Sequence, residues 1–90
     1  MNYIVLDLEW NQPQCAKHMV RNPFPLYGEI IQIGAVKLDE NYHILDTFKI
    51  MVRPIHYRTM NKQVSKLTRI SNEDLQYGFP FQQAMKYFRH

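Results

Sequence analysis

EIIQIGAVKLDENYHILDTFKIMV, residues 29–52, decides the fold. Residues 29–38 form a run rich in β-branched and apolar side chains, Asp39-Glu40-Asn41 is a turn signal, and a second apolar run goes from Tyr42 to Val52 before Pro54 ends it. So short a link cannot carry a parallel crossover, so the two runs predict an antiparallel hairpin. Towards the N-terminus, residues 2–9 (NYIVLDLE) form another strand-like run. Tyr3, Ile4, Val5 and Leu6 put apolar groups on both faces, which predicts a central strand of a covered sheet, with Asp7 and Glu9 breaking the pattern at its end. Residues 11–27 read as an irregular loop, since Pro13, Pro23 and Pro25 lack backbone donors and Asn11 and Asn22 punctuate it. A loop of that length points to a functional or mobile segment. Towards the C-terminus, the pattern turns helical from Asn61. Val64, Leu67 and Ile70 predict a short apolar stripe, and Ser71-Asn72-Glu73-Asp74 predicts a capping box. Gly78 then breaks the chain, and Pro80 predicts the first position of a last helix with Phe81, Ala84, Met85 and Phe88 on one face. That helical pattern still runs at Arg89 and His90.

The 90 residues allow one domain at most. A hydrophobic share of 46% and a charged share of 21% are globular values, which exclude a disordered chain. No apolar run approaches the ~20 residues that span a bilayer, and Tyr3–Leu6 is too short for a signal-peptide core. Cys15 is the single cysteine, so no internal disulfide can form. A cytoplasmic protein with no membrane association is the expectation. Charge is uneven. Residues 1–48 carry three basic against six acidic side chains, net −3, while residues 49–90 carry eight against two, net +6. A basic half suits a polyanionic partner, or is an ordinary solvated surface.

Asp7 and Glu9 carry the strongest chemical signal. Strand side chains alternate faces, so the two point the same way, about 6.6 Å apart along the strand. Two carboxylates ending an apolar run repel each other and resist desolvation unless something compensates. Divalent Mg²⁺ or Mn²⁺ prefers such hard oxygen ligands, and a two-metal site with ions ~3.5–4 Å apart can be bridged by one carboxylate and flanked by the other. The plainer alternative is a solvent-exposed strand end with two surface acids. Lys62, Lys66 and Arg69 fall near one helical face, where they meet a nucleic-acid backbone or simply water. Cys15 and His18 have C-x-x-H spacing, but zinc needs about four ligands and no others are evident. His18, His43, His56 and His90 read as loop, turn or terminal residues.

The segments YIVLDLEW, GEIIQIGAVKLD, FKIMVRP, VSKLTRISNEDL and GFPFQQAMKYF, taken in order, resemble the start of the DEDD superfamily of 3′–5′ exonucleases. The resemblance is to the branch that includes ribonuclease T, the proofreading subunit of bacterial DNA polymerase III, and histone-mRNA and small-RNA trimming enzymes. It covers nearly the whole chain. It implies an α/β, ribonuclease-H-like fold in partial form: a three-stranded antiparallel meander followed by helices, with later strands missing. It implies that residues 1–90 are the N-terminal portion of an exonuclease domain that lacks the second and third acidic motifs. In such enzymes four acidic ligands hold two Mg²⁺ or Mn²⁺ ions beside a general base, one ion activating the water and the other stabilising the departing 3′ oxygen.

Asp7 and Glu9 match the first motif, as catalytic residues and metal ligands. Leu8, Trp10, Leu67, Thr68 and Arg69 are the implied substrate-binding residues. Two departures stand out. Trp10 and Asn11 follow Glu9 where many relatives have small or hydroxyl residues, so Trp10 either stacks on a base or, by its parity, is a core aromatic opposite the acids. LTRI replaces the usual LTGI, so Arg69 either reaches a phosphate or only alters the helix end. The implied substrate is a single-stranded RNA or DNA 3′ end, and the 90-residue chain, with two of five expected catalytic groups, is expected to be inactive alone. The alternatives are a non-catalytic module that binds nucleic acid or protein, or a homo-oligomeric fragment that covers its exposed sheet edge with another copy.

Overall fold

Residues 1–89 are described by the computed structural model; His90, and with it the expectation for its side chain, lies outside the described residues. Strand β1 (Tyr3–Asn11) pairs antiparallel with β2 (Glu29–Leu38), and β2 pairs antiparallel with β3 (Ile44–Met51), in the order β1-β2-β3. The expected hairpin and meander are present. Asp39 closes the hairpin: its Oδ1 accepts from the backbone N–H groups of Asn41 and His43. The backbone hydrogen bond from His43 holds the Asp39 carboxyl below its ordinary pKa. Tyr42 takes the left-handed conformation at φ 64°, so the connection needs five residues and β3 starts two residues later than expected.

The sheet corrects one expectation. The central strand is β2, with Ile31 and Ile33 buried, whereas β1 lies at the edge of the described sheet. Ile4, Val5 and Leu6 are each more than half exposed. Apolar side chains on both faces therefore did not mean both faces covered among the described residues. β1 also runs two residues further than expected, to Asn11, past a register shift at Glu9/Trp10 that leaves Ile31 without a partner in β1. Ile31 is fully buried all the same, and its carbonyl accepts from Val52 N–H at 2.8 Å.

Helices α1 (Lys62–Thr68), α2 (Asn72–Gln76) and α3 (Phe81–Phe88) follow. Asn61 caps α1, its side chain accepting from the N–H groups of Gln63 and Val64. The expected capping box is present at α2, reciprocal between Ser71 and Asp74. Pro80 is the N-cap of α3 rather than its first residue. Two apolar clusters form. Ile31, Met60, Val64, Ile70 and Leu75 pack together, and Ile33, Val52 and Ala84 join Leu8, Phe48, Met85 and Phe88.

The α1 stripe is corrected at Leu67, which is 85% exposed. Arg69 ends the helix in the left-handed conformation at φ 61°. Ile70 therefore enters the core from beyond the helix, whereas Leu67, within it, faces solvent. Gly78 is required for contact, not for turn geometry: a Cβ there would sit 2.7 Å from Arg53 N and 2.8 Å from the Val52 carbonyl carbon. That approach allows the parallel bridge Val52–Phe79, which fastens the segment before α3 to the end of β3.

Buried polar groups join β1 to the helices. Asn11 is fully buried. Its Nδ2 donates to the carbonyls of Tyr57 (2.8 Å) and Thr59 (2.9 Å), and its Oδ1 accepts from Asn61 N–H (2.9 Å). Gln14 donates to the Thr59 and Met60 carbonyls, and Asn61 Nδ2 donates to the Pro13 carbonyl. Glu29, paired with Asn11 across the sheet, accepts from the backbone N–H groups of Ile55, His56 and Tyr57. The Tyr57 hydroxyl donates to the Leu26 carbonyl (2.6 Å) and accepts from Val20 N–H (2.9 Å). Residues 55–61 between β3 and α1 are thus held largely by side chains of the first 29 residues, with Asn72 accepting from Met60 N–H.

Replacing Asn11 with Ala leaves the Tyr57 carbonyl and the Asn61 N–H without partners and leaves the Thr59 carbonyl to Gln14 alone. Stability is expected to fall by about 2–4 kcal/mol in urea unfolding. Amide exchange should accelerate at Tyr57–Asn61 before the β2–β3 ladder is affected. Arg69→Gly removes the left-handed strain and should stabilise by up to about 1 kcal/mol. Leu75→Ala should cost about 2–5 kcal/mol while Leu67→Ala stays within about 0.5, a contrast that the same unfolding measurement checks.

Candidate metal-binding site

Strand alternation puts Asp7 and Glu9 on one side of β1 and Leu8 and Trp10 on the other. Leu8 packs with the Ile33 cluster, so the two carboxylates face away from it. Asp7 is exposed and Glu9 half-buried. The carboxylates of Glu29, Asp39, Asp46 and Asp74 all accept backbone hydrogen bonds. Those of Asp7 and Glu9 accept none and form no ion pair among the described residues. Both therefore keep their oxygen lone pairs available.

Gly34 lies directly across from Asp7 in the ladder. A Cβ on Gly34 would be 3.5 Å from the Asp7 carbonyl oxygen and 3.9 Å from the Asp7 Cβ. Its absence keeps the space beside the Asp7 carboxylate clear. A lone glycine inside a strand run marks a place where something else comes close, and this was the available signal that the sequence reading passed over. Asn11, on the same parity as the acids, was read as loop punctuation, yet it ends the strand and holds α1 in place. Two free carboxylates on one face of a strand, with an open position opposite, fit a hard divalent cation, although they supply only part of its ligands. Among the described residues no group of three His, Cys, Asp or Glu side chains converges.

The other residues named from the sequence are distributed as follows. Leu8 is a core side chain, which leaves its backbone as the part able to meet a ligand. Trp10 is 47% exposed, with its ring lying over Gly28, where a Cβ would be 3.6 Å from the indole. It is therefore no core aromatic, because the sheet ends at Asn11 and Glu29 and no described element covers the outer face of the ring. Leu67 projects from α1. The Thr68 hydroxyl donates to the Val64 carbonyl and accepts from Ile70 N–H, so it is engaged in ending the helix. Arg69 is exposed at the cap, off the helical spacing that would align it with Lys62 and Lys66. Cys15 Sγ and His18 Nδ1 lie 3.5 Å apart at the surface. Helix α1 packs against β1, and the Asn11 bonds set where it starts.

The comparisons with known proteins bear on the fold and the family. A family model described as exonuclease, RNase_T, matches residues 4–89. The crystal structure of a full-length 3′-exonuclease superposes with a TM-score of 0.78 at 25% identity, over 97% of this chain and 27% of that one. The nuclease domain of 3′hExo, a DEDDh family member bound to rAMP, gives 0.78 at 23% identity over 97% and 41%. The cell-death related nuclease CRN-4 gives 0.76 at 23% identity over 98% and 28%. The chain thus spans well under half the length of these solved structures. No curated protein matches the sequence. Three antiparallel strands followed by helices are the partial ribonuclease-H-like arrangement of these nucleases, and with a family match over residues 4–89 the chain belongs to the RNase_T exonuclease family.

Proposed function

We propose that this chain carries the first metal-binding strand of a 3′–5′ exonuclease that removes nucleotides from single-stranded RNA or DNA 3′ ends, with Asp7 and Glu9 as ligands for Mg²⁺ or Mn²⁺. The observation that carries this reading is the pair of unengaged carboxylates on one face of β1, opposite Gly34, in a chain of the exonuclease family. Divalent ions, when bound, would supply water activation and charge stabilisation at the scissile phosphate. The protein's part is to hold the two carboxylates on a strand whose far side is anchored by Leu8, and to keep the neighbouring position free of a side chain.

Leu67 offers a projecting apolar surface suited to a terminal base, and α1 owes its start to the Asn11 bonds. Among solved relatives, one is a 3′-exonuclease that recognises the 3′ end of a histone mRNA stem-loop, which supports a nucleic-acid 3′ end as the substrate class here.

A second reading rests on the free edge of β1. Ile4, Val5 and Leu6 are exposed beside it, and such an edge can pair with a second copy. In that form the 90-residue chain is a self-associating module that binds without cleaving.

Mn²⁺ is expected to broaden the NMR signals of Asp7, Glu9 and Gly34 first. Asp7→Ala should abolish this effect, and Gly34→Val should weaken it while Gly34→Ala is tolerated. Unchanged Mn²⁺ binding in Asp7→Ala would remove Asp7 as a ligand. The purified 90-residue chain with Mn²⁺ is expected to release no mononucleotide from labelled oligonucleotides. For the second reading, sedimentation should show concentration-dependent dimers that Val5→Lys dissociates; a monomer at all concentrations would exclude edge pairing.

A further inference from the structure

Helix α3 does not pack along the whole of its apolar stripe. Ala84, Met85 and Phe88 join the Ile33 cluster, whereas Phe81, in line with them by helical spacing, is 45% exposed. Phe81 lines a groove of about 850 Å³ between the segment that follows β3 and helices α2 and α3. Buried Leu75 and Pro54 contribute apolar surface to it, together with Pro80. Neither Asp7 nor Glu9 lines the groove, and no acidic side chain does among the described residues. The polar groups that line it are mostly donors. The Arg53 side chain and the Gln76 amide make no hydrogen bond to any described residue. Arg58 Nε donates to the Ile55 carbonyl at 3.1 Å, and its two terminal amino groups make no bond to a described residue. Asn72 Oδ1 accepts from Met60 N–H at 2.6 Å, which leaves the NH₂ of the same amide as the group open to a ligand.

We infer that this groove docks a short peptide segment of a partner protein in which an aspartate or glutamate stands next to a bulky apolar residue. Charge complementarity selects the carboxylate, since two arginines stand here against no acid, in the half of the chain with net charge +6. A guanidinium meets a carboxylate with two parallel hydrogen bonds, and the amides of Asn72 and Gln76 on α2 add further donors. The apolar surface selects the neighbouring residue, because Leu75, Pro54, Pro80 and Phe81 give a bulky side chain a place out of water. A volume inside the usual ~300–1,000 Å³ of ligand sites takes a few side chains and not a folded face. A nucleic-acid strand is the poorer match. It needs ring after ring on which to stack its bases, and Phe81 is the single aromatic side chain lining this groove among the described residues. The docking surface is separate from the carboxylate pair of β1, so it gives the protein a means of recruitment that does not depend on the metal site.

The test is an NMR titration of the isotope-labelled 90-residue chain, in EDTA, with a hexapeptide that alternates aspartate and leucine. The expected shifts fall on Arg53, Ile55, Gln76 and Phe81 and leave Asp7, Glu9 and Gly34 unmoved. Arg53→Gln should weaken binding by about 3–10-fold and Phe81→Ala by about 5-fold or more, with circular dichroism unchanged. Lys66→Gln, which removes the same charge from α1, should bind as the parent does. Arg53→Glu should lose the aspartate peptide and take up a lysine–leucine hexapeptide instead, a reversal that a merely structural role for Arg53 would not produce. The inference is overturned if the peptide shifts no groove signal, if Arg53→Gln and Phe81→Ala bind it unchanged, or if Lys66→Gln weakens it as much as Arg53→Gln does. It is also overturned if a uridine homopolymer displaces the peptide from the groove signals, which makes a nucleic acid the occupant, or if those signals move with protein concentration before any peptide is added, which makes a second copy the occupant.

Discussion

A single buried amide holds the two halves of this structure together. Asn11 meets two carbonyls and one N–H of the segment that leads into α1, and among the described residues it is the one buried polar side chain in the core. Its three bonds are made inside the protein, where an unsatisfied partner would cost far more than each bond contributes. Gln14, Asn61 and Glu29 extend the same arrangement, so that the backbone between β3 and α1 has little hydrogen bonding of its own and takes its shape from side chains reaching across from β1 and β2. The strand that carries the acids and the helix that projects Leu67 therefore move as one body, because the last residue of one directs the cap of the other.

The hairpin, the capping box at Ser71 and the Ala84, Met85 and Phe88 face of α3 were legible because each is a local pattern: alternation, a capping spacing and a helical period; Phe81, expected on the same face, is 45% exposed instead. What could not be read depended on partners distant in the chain. Position 11 looked like the start of a loop because nothing nearby shows that Tyr57, Thr59 and Asn61 will meet it 46–50 residues later. The Val64–Leu67–Ile70 stripe holds at Val64 and Ile70 and fails at Leu67, because helical spacing does not tell which positions a distant segment arrives to cover. Apolar groups on both faces of β1 suggested a central strand, but periodicity reports which side chains are apolar and not which neighbours arrive to cover them. The carboxylate pair was legible from its spacing. The glycine facing it was not, since cross-strand register is set by the whole ladder.

The site shows how little the fold must do to make a carboxylate pair available. Four other acids, Glu29, Asp39, Asp46 and Asp74, are drawn onto backbone N–H groups. Asp7 and Glu9 accept no such bond among the described residues, although a strand position alone does not spare an acid: Glu29 in β2 and Asp46 in β3 both accept from backbone N–H groups. What is particular to this pair is the glycine on the adjacent strand: Gly34, opposite Asp7, brings no side chain to fill the gap.

The Tyr57 phenol has one further consequence. It bridges Val20 and Leu26, whose own backbones are joined by the bond from Leu26 N–H to the Val20 carbonyl at 2.7 Å. Residues 21–25 thus form a small exposed loop closed at its base, tied to the preceding segment through the Arg21 side chain on the Ala16 carbonyl. Chain added there would meet neither the sheet nor the helices, and doubling such a loop costs only about 0.6 kcal/mol in closure entropy. The long connection between β1 and β2 therefore contains a permissive point where a tag, a probe or an inserted module can be carried without loosening the phenol that holds its base.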